Sequence, residues 1–158
     1  MNMGRSLYKQ KGSELVEFAI SAVVLFLLLF GIIEFSVALF DKATLTNASR
    51  EGARTGILFR PADRDPAAEN AAIEQVIRSY AEQYLISLGE TLPGHEPSIL
   101  TITIERPDSI GDILEPGHRL IVTITYDYQY LVLPGFIANL GGEKGEVLLS
   151  STTVMRAE

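Results

Sequence analysis

Residues 11–40 read KGSELVEFAISAVVLFLLLFGIIEFSVALF, and the interpretation of that stretch decides the fold. From Phe18 to Phe40 it is a nearly unbroken apolar run, with sixteen positions taken by Leu, Ile, Phe or Val. As a helix rising ~1.5 Å per residue it spans roughly 34 Å, enough to cross a ~30 Å hydrocarbon core with some tilt. Each of those sixteen side chains contributes about −0.3 to −0.6 kcal/mol near the bilayer centre, against roughly 3 kcal/mol for the one charge inside, Glu34. The apolar gain outweighs the charge, and residues 13–40 read as a transmembrane helix.

The flanks set the direction of crossing. Arg5, Lys9 and Lys11 precede the run with no acid among them, while Asp41 and Lys42 cancel just after it. The positive-inside rule keeps residues 1–12 cytoplasmic and puts residues 41–158 outside, an extracytoplasmic domain on a single-pass anchor in the cytoplasmic (inner) membrane. A cleaved secretory signal would need a shorter apolar core followed by small residues. Phe35, Val37, Leu39 and Phe40 stand there instead.

Composition narrows the function classes. The 158-residue chain carries a net charge of −7, and three of its basic residues lie in the leader, so the outer part is more acidic still. Such a body is unsuited to nucleic acid, whose phosphates demand clustered Lys and Arg. With no cysteine, disulfides, thiolate metal sites and cysteine nucleophiles are all excluded.

Beyond the membrane run, Asp41 to Leu58 keeps a helical character with no proline before Pro61. Ala43, Leu45, Ala48, Gly52, Ala53 and Gly56 make it a small-residue spine that invites another backbone to come close. Two glycines cost about 1 kcal/mol each in a helix interior, so fraying near Gly52 is the competing outcome. Asp65 followed by Pro66 reads as the N-cap and first residue of an amphipathic helix. Its apolar face holds Ala72, Ile73, Val76, Ile77, Tyr80, Tyr84 and Leu88, and Gly89 closes it.

The period then changes from 3.6 to 2. Leu100, Ile102 and Ile104 alternate with Thr101, Thr103 and Glu105. A longer strand puts Leu120, Val122, Ile124, Tyr126, Tyr128 and Tyr130 on one side, and a last one, about 146–156, does so with Val147, Leu149, Ser151, Thr153 and Met155. Without a long crossover these predict an antiparallel three-stranded meander, with at most one helical turn at 135–140. The fold class is α+β: a long N-terminal helix continuing outside the membrane, one amphipathic helix and the sheet.

No constellation for catalysis emerges. His95 and His118 lie in separate Pro- and Gly-containing loops, EPGHR at 115–119 is turn chemistry, and GGEKG at 141–145 lacks the phosphate-loop spacing. The acids form no calcium loop. The expectation is no enzyme, no cofactor and no metal site. Two carboxylates in the apolar run carry more interest. Glu17 and Glu34 stand ~25 Å apart along the helix, near opposite ends of the crossing. Glu34 lies within two turns of the exit, where its side chain can reach back to water.

Gly12 followed by Glu17 and Phe18, with Lys9 and Lys11 before and an apolar run behind, resembles a prepilin peptidase site. VEFAI at 16–20, FGIIEF at 30–35 and NASREGAR at 47–54 extend the likeness, and the chain resembles the TadE-like pseudopilins of the tight-adherence (Flp) pilus system. The final LSSTTVMRAE is loosely similar to the family's last strand, and Val23 stands where many relatives carry proline. The resemblance implies a pilin-like fold and cleavage between Gly12 and Ser13 by a prepilin peptidase. It also implies a minor-pilin role in assembling an adhesion pilus with other pilins and the assembly platform. Glu17 is then expected to pair with the N-terminal ammonium of a neighbouring subunit, and Glu17, Glu34, Gly52 and Arg54 to serve subunit or helix packing. A carboxylate and an ammonium entering an apolar bundle are each costly alone, so pairing relieves both. Glu51 and Arg54, three apart, can pair on one helix face. An unprocessed bitopic anchor carrying an outer binding domain is the alternative.

Overall fold

The computed structural model describes residues 4–58, 65–86, 99–109, 111, 113–130 and 146–157. Helix α1 runs unbroken over Gly4–Leu58, so the apolar stretch and the small-residue spine after it are one rod, roughly 80 Å long. Fraying at Gly52 does not occur. The polar residues inside it are satisfied locally: the hydroxyls of Ser36, Thr46 and Thr55 donate to the carbonyls of Ile32, Lys42 and Glu51 at 2.7, 2.9 and 3.0 Å.

Helix α2 spans Pro66–Tyr84 and begins as its sequence dictates. Pro66 fills a first-turn position, and the Asp65 carboxylate accepts the Ala67 N–H at 2.9 Å. Its buried seam is Glu69, Ile73, Ile77 and Ala81, while Ala72, Val76 and Tyr80 are half-buried. Tyr84 is exposed and packs against Tyr80 with the rings tilted at 45°. The helix also stops earlier than expected. Leu85 caps it in an extended conformation, its N–H still donating to Ala81 O, and the Ile86 N–H turns away to the Asp41 carboxylate on α1 at 3.1 Å. That tertiary partner ends the helix. Gly89, His95, the 135–140 segment and GGEKG lie outside the described residues.

Strands β1 (Leu100–Glu105), β2 (Arg119–Gln129) and β3 (Glu146–Arg156) form one antiparallel sheet in the order β1-β2-β3. Register pairs Ile102 with Ile124, Ile124 with Ser151 and Leu120 with Met155. Leu120, Val122, Ile124, Tyr126 and Tyr128 are buried as the period-2 pattern predicts. On the other face the Thr123 and Thr152 hydroxyls meet at 3.1 Å. The 115–118 turn holds Gly117 at a φ of 87°, a left-handed conformation that glycine adopts without Cβ strain. The Gly117 N–H donates to Ala157 O, and the Ala157 N–H to His118 O.

One core joins Leu45, Ala48 and Ala53 of α1, Ile73, Ile77 and Ala81 of α2 and the inner face of β2. Close approach depends on two glycines of α1. A Cβ on Gly52 would stand 2.6 Å from Ile77 Cγ1, and one on Gly56 would run into Leu120 and stand 2.7 Å from Ile73 Cδ1. The domain formed by α2 and the sheet is therefore fastened to α1 rather than tethered beyond it.

Candidate functional site

The candidate functional surface is α1, and it changes character midway. From Gly12 to Leu29 nearly every residue is exposed on every side of the helix, Phe18 at 72 % and Leu25 at 63 %. In water such a band has no stable place. By length and composition it suits a membrane crossing, and it is not buried as the core helix of a soluble protein is. Gly12, Ser13, Glu17 and Phe18 all lie in this band, exposed, and a Cβ added at Gly12 would meet nothing within 4 Å.

From Glu34 onward a stripe turns inward. Glu34, Asp41, Leu45, Ala48, Ser49, Gly52, Ala53 and Gly56 are buried, at the three- and four-residue spacing of one helix face. Glu34, only 3 % exposed, does not reach back to water. The Tyr128 hydroxyl of β2 donates to its Oε1. Burial and then the Glu34 carboxylate push the Tyr128 phenol well above its ordinary pKa, so it remains a donor. Seven residues on, Asp41 is fully buried and accepts the Ile86 N–H. Two turns further, Ser49 Oγ lies 3.1 Å from Ser151 Oγ and 2.7 Å from Thr153 Oγ1 of β3.

This stripe gives the NASREGAR segment a physical account. Ala48, Ser49, Gly52 and Ala53 form its inner half, while Asn47, Arg50, Glu51 and Arg54 face outward. Glu51 and Arg54 form no ion pair with each other among the described residues. Gly52 thus packs within the chain, whereas Arg54 belongs to its surface.

Two ion pairs fix the sheet's ends. Arg106 Nη2 meets Glu69 Oε2 at 3.4 Å with both side chains almost fully buried, tying the end of β1 to the first turn of α2. Asp108 accepts from Arg119 Nε at 2.8 Å, Nη2 at 3.0 Å and the backbone N–H at 3.2 Å. Those bonds lower the Asp108 carboxyl to about 2. His118 stands 3.9 Å from Glu115 across its own turn.

Sequence reasoning missed Tyr128, Asp41, Glu69 and Arg106 as partners. A signal existed for the first two. Glu34 and Asp41 are seven apart and share a face with Leu45, Ala48 and Gly52, so both acids point the way the small residues do.

The family model for TadE-like proteins matches residues 12–54. Over those residues, about a quarter of the chain, it is similar to TadE-like proteins. The match runs from Gly12 through the bare band and ends within the inward stripe. No curated protein and no solved structure matches it.

Proposed function

We propose that the protein is a non-enzymatic pseudopilin, or minor pilin, needed to assemble an Flp-type adhesion pilus. In this reading a prepilin peptidase cuts between Gly12 and Ser13 on the cytoplasmic side, and residues 13–40 hold the mature chain in the inner membrane. The observation that carries the proposal is the division of α1, with bare apolar surface where the TadE-like match begins and a fastened outer domain where it ends. A helix exposed all round can meet lipid first and neighbouring pilin helices later. Glu17, at the start of the band, offers its carboxylate to the Ser13 ammonium of a neighbour.

The test is mass spectrometry of the membrane-extracted protein, made with and without an active prepilin peptidase. A mature chain starting at Ser13, seen only with the peptidase and abolished by Gly12→Leu, is expected. An intact leader in its presence would falsify the reading in favour of an unprocessed bitopic anchor. Glu17→Gln should be cut normally yet be lost from sheared pili or from the assembly platform.

A further inference from the structure

Between the outer end of the membrane segment and the β2–β3 end of the sheet lies a groove of about 570 Å³. Phe35, Leu39, Tyr130, Leu148 and Leu149 line it, and Lys42 borders it further along α1. Phe35 and Leu148 are 65 % and 63 % exposed, so its walls are apolar surface open to the surroundings. Its volume lies within the roughly 300–1,000 Å³ usual for small-molecule sites.

Position along the helix says what surrounds it. With Glu17 at the inner boundary, Gly31 stands ~21 Å along the axis, Phe35 ~27 Å, Leu39 ~33 Å and Lys42 ~37 Å. A hydrocarbon core of ~30 Å, with headgroup regions bringing the whole to ~40–45 Å, puts Phe35 among outer-leaflet acyl chains and Lys42 among headgroups. The groove therefore begins in hydrocarbon and ends beside a cation at phosphate level.

We propose that this groove binds one phospholipid of the outer leaflet, an acyl chain lying against Phe35, Leu39, Leu148 and Leu149 and the phosphate meeting Lys42. The assignment rests on the membrane placement of residues 13–40 proposed above. The lipid seals the seam where the sheet meets the helix.

The test uses the full chain in bilayer nanodiscs containing phosphatidylcholine with a diazirine on its acyl chain, followed by photolysis and peptide mapping. Adducts on residues 35–39 and also on 147–150 are expected. Leu148→Glu should reduce the adducts on β3 by about tenfold, since a carboxylate set against acyl chains is strongly disfavoured. Lys42→Glu, which leaves the apolar walls intact, should lower them too by repelling the phosphate. Thermal unfolding of each variant confirms that the outer domain is folded. Adducts confined to residues 18–30 would overturn the groove while leaving the membrane placement standing. Their absence from α1 altogether would overturn the placement itself. Cross-linking of residues 147–150 to a second copy of the chain, in place of lipid, would also overturn the proposal.

Discussion

From Leu15 to Phe30, α1 presents large apolar side chains on every side; from Glu34 onward the same helix buries a stripe of acids, alanines and glycines. In the first part bulk is useful, because each added apolar area lowers the free energy of insertion and no neighbour limits its shape. In the second part bulk is excluded, since Ile73, Ile77 and Leu120 occupy the space that side chains on Gly52 and Gly56 would need. Two glycines of one helix make the contrast concrete. A Cβ at Gly31 meets nothing within 4 Å, whereas one at Gly52 collides with Ile77.

The sharpest way to break this division is through the outer domain's buried ion pair. Arg106→Met removes the buried cation that faces the Glu69 carboxylate and should cost about 3–5 kcal/mol in denaturant unfolding of the detergent-solubilised full chain. The double variant Arg106→Met with Glu69→Leu should recover most of that loss, and no recovery would remove the pair from the account. Next, Gly52→Leu should destabilise the outer domain by about 1–3 kcal/mol through overpacking, while Gly31→Leu leaves it unchanged. Equal effects at the two glycines would end the comparison. Tyr128→Phe removes the donor to Glu34 and should cost about 1–3 kcal/mol in the same measurement.

Smaller effects come from the surface. Asp108 has its folded pKa lowered to about 2 by the Arg119 bonds. Its contribution is therefore present above the unfolded value of ~3.9 and lost as pH falls towards the folded one. Acid titration of the unfolding midpoint should show a step between about pH 4 and pH 2 that is absent in Asp108→Asn. Smallest of all, Phe26→Ala, in the bare band, should change outer-domain unfolding by less than about 0.5 kcal/mol.

The parts legible in sequence were those governed by neighbours along the chain. The apolar run, the Asp65–Pro66 start of α2 and the alternation that sorts β2 into two faces all express local rules. What local rules could not reach were meetings between distant segments. Leu85 leaves the helix because the next N–H, that of Ile86, finds Asp41, forty-five residues earlier. Glu34 turns inward because Tyr128, ninety-four residues later, brings it a hydroxyl. Tyr84 fitted the helical period yet stays exposed, since the core is already closed by Ala81 and Leu85. Glu17 is exposed on α1, so the role proposed for it rests on the family likeness alone.

The unbroken course of α1 from the leader to Leu58 has a mechanical consequence. With 3.6 residues per turn and ~1.5 Å of rise, a helix advanced by one residue against a fixed neighbour must rotate by about 100° to present an equivalent side chain. Among the described residues nothing interrupts the rod between Phe18 and the glycines that hold the outer domain. Axial travel and heading are therefore coupled as in a screw. A step of ~1.5 Å along the helix axis swings the sheet through more than a quarter of a circle.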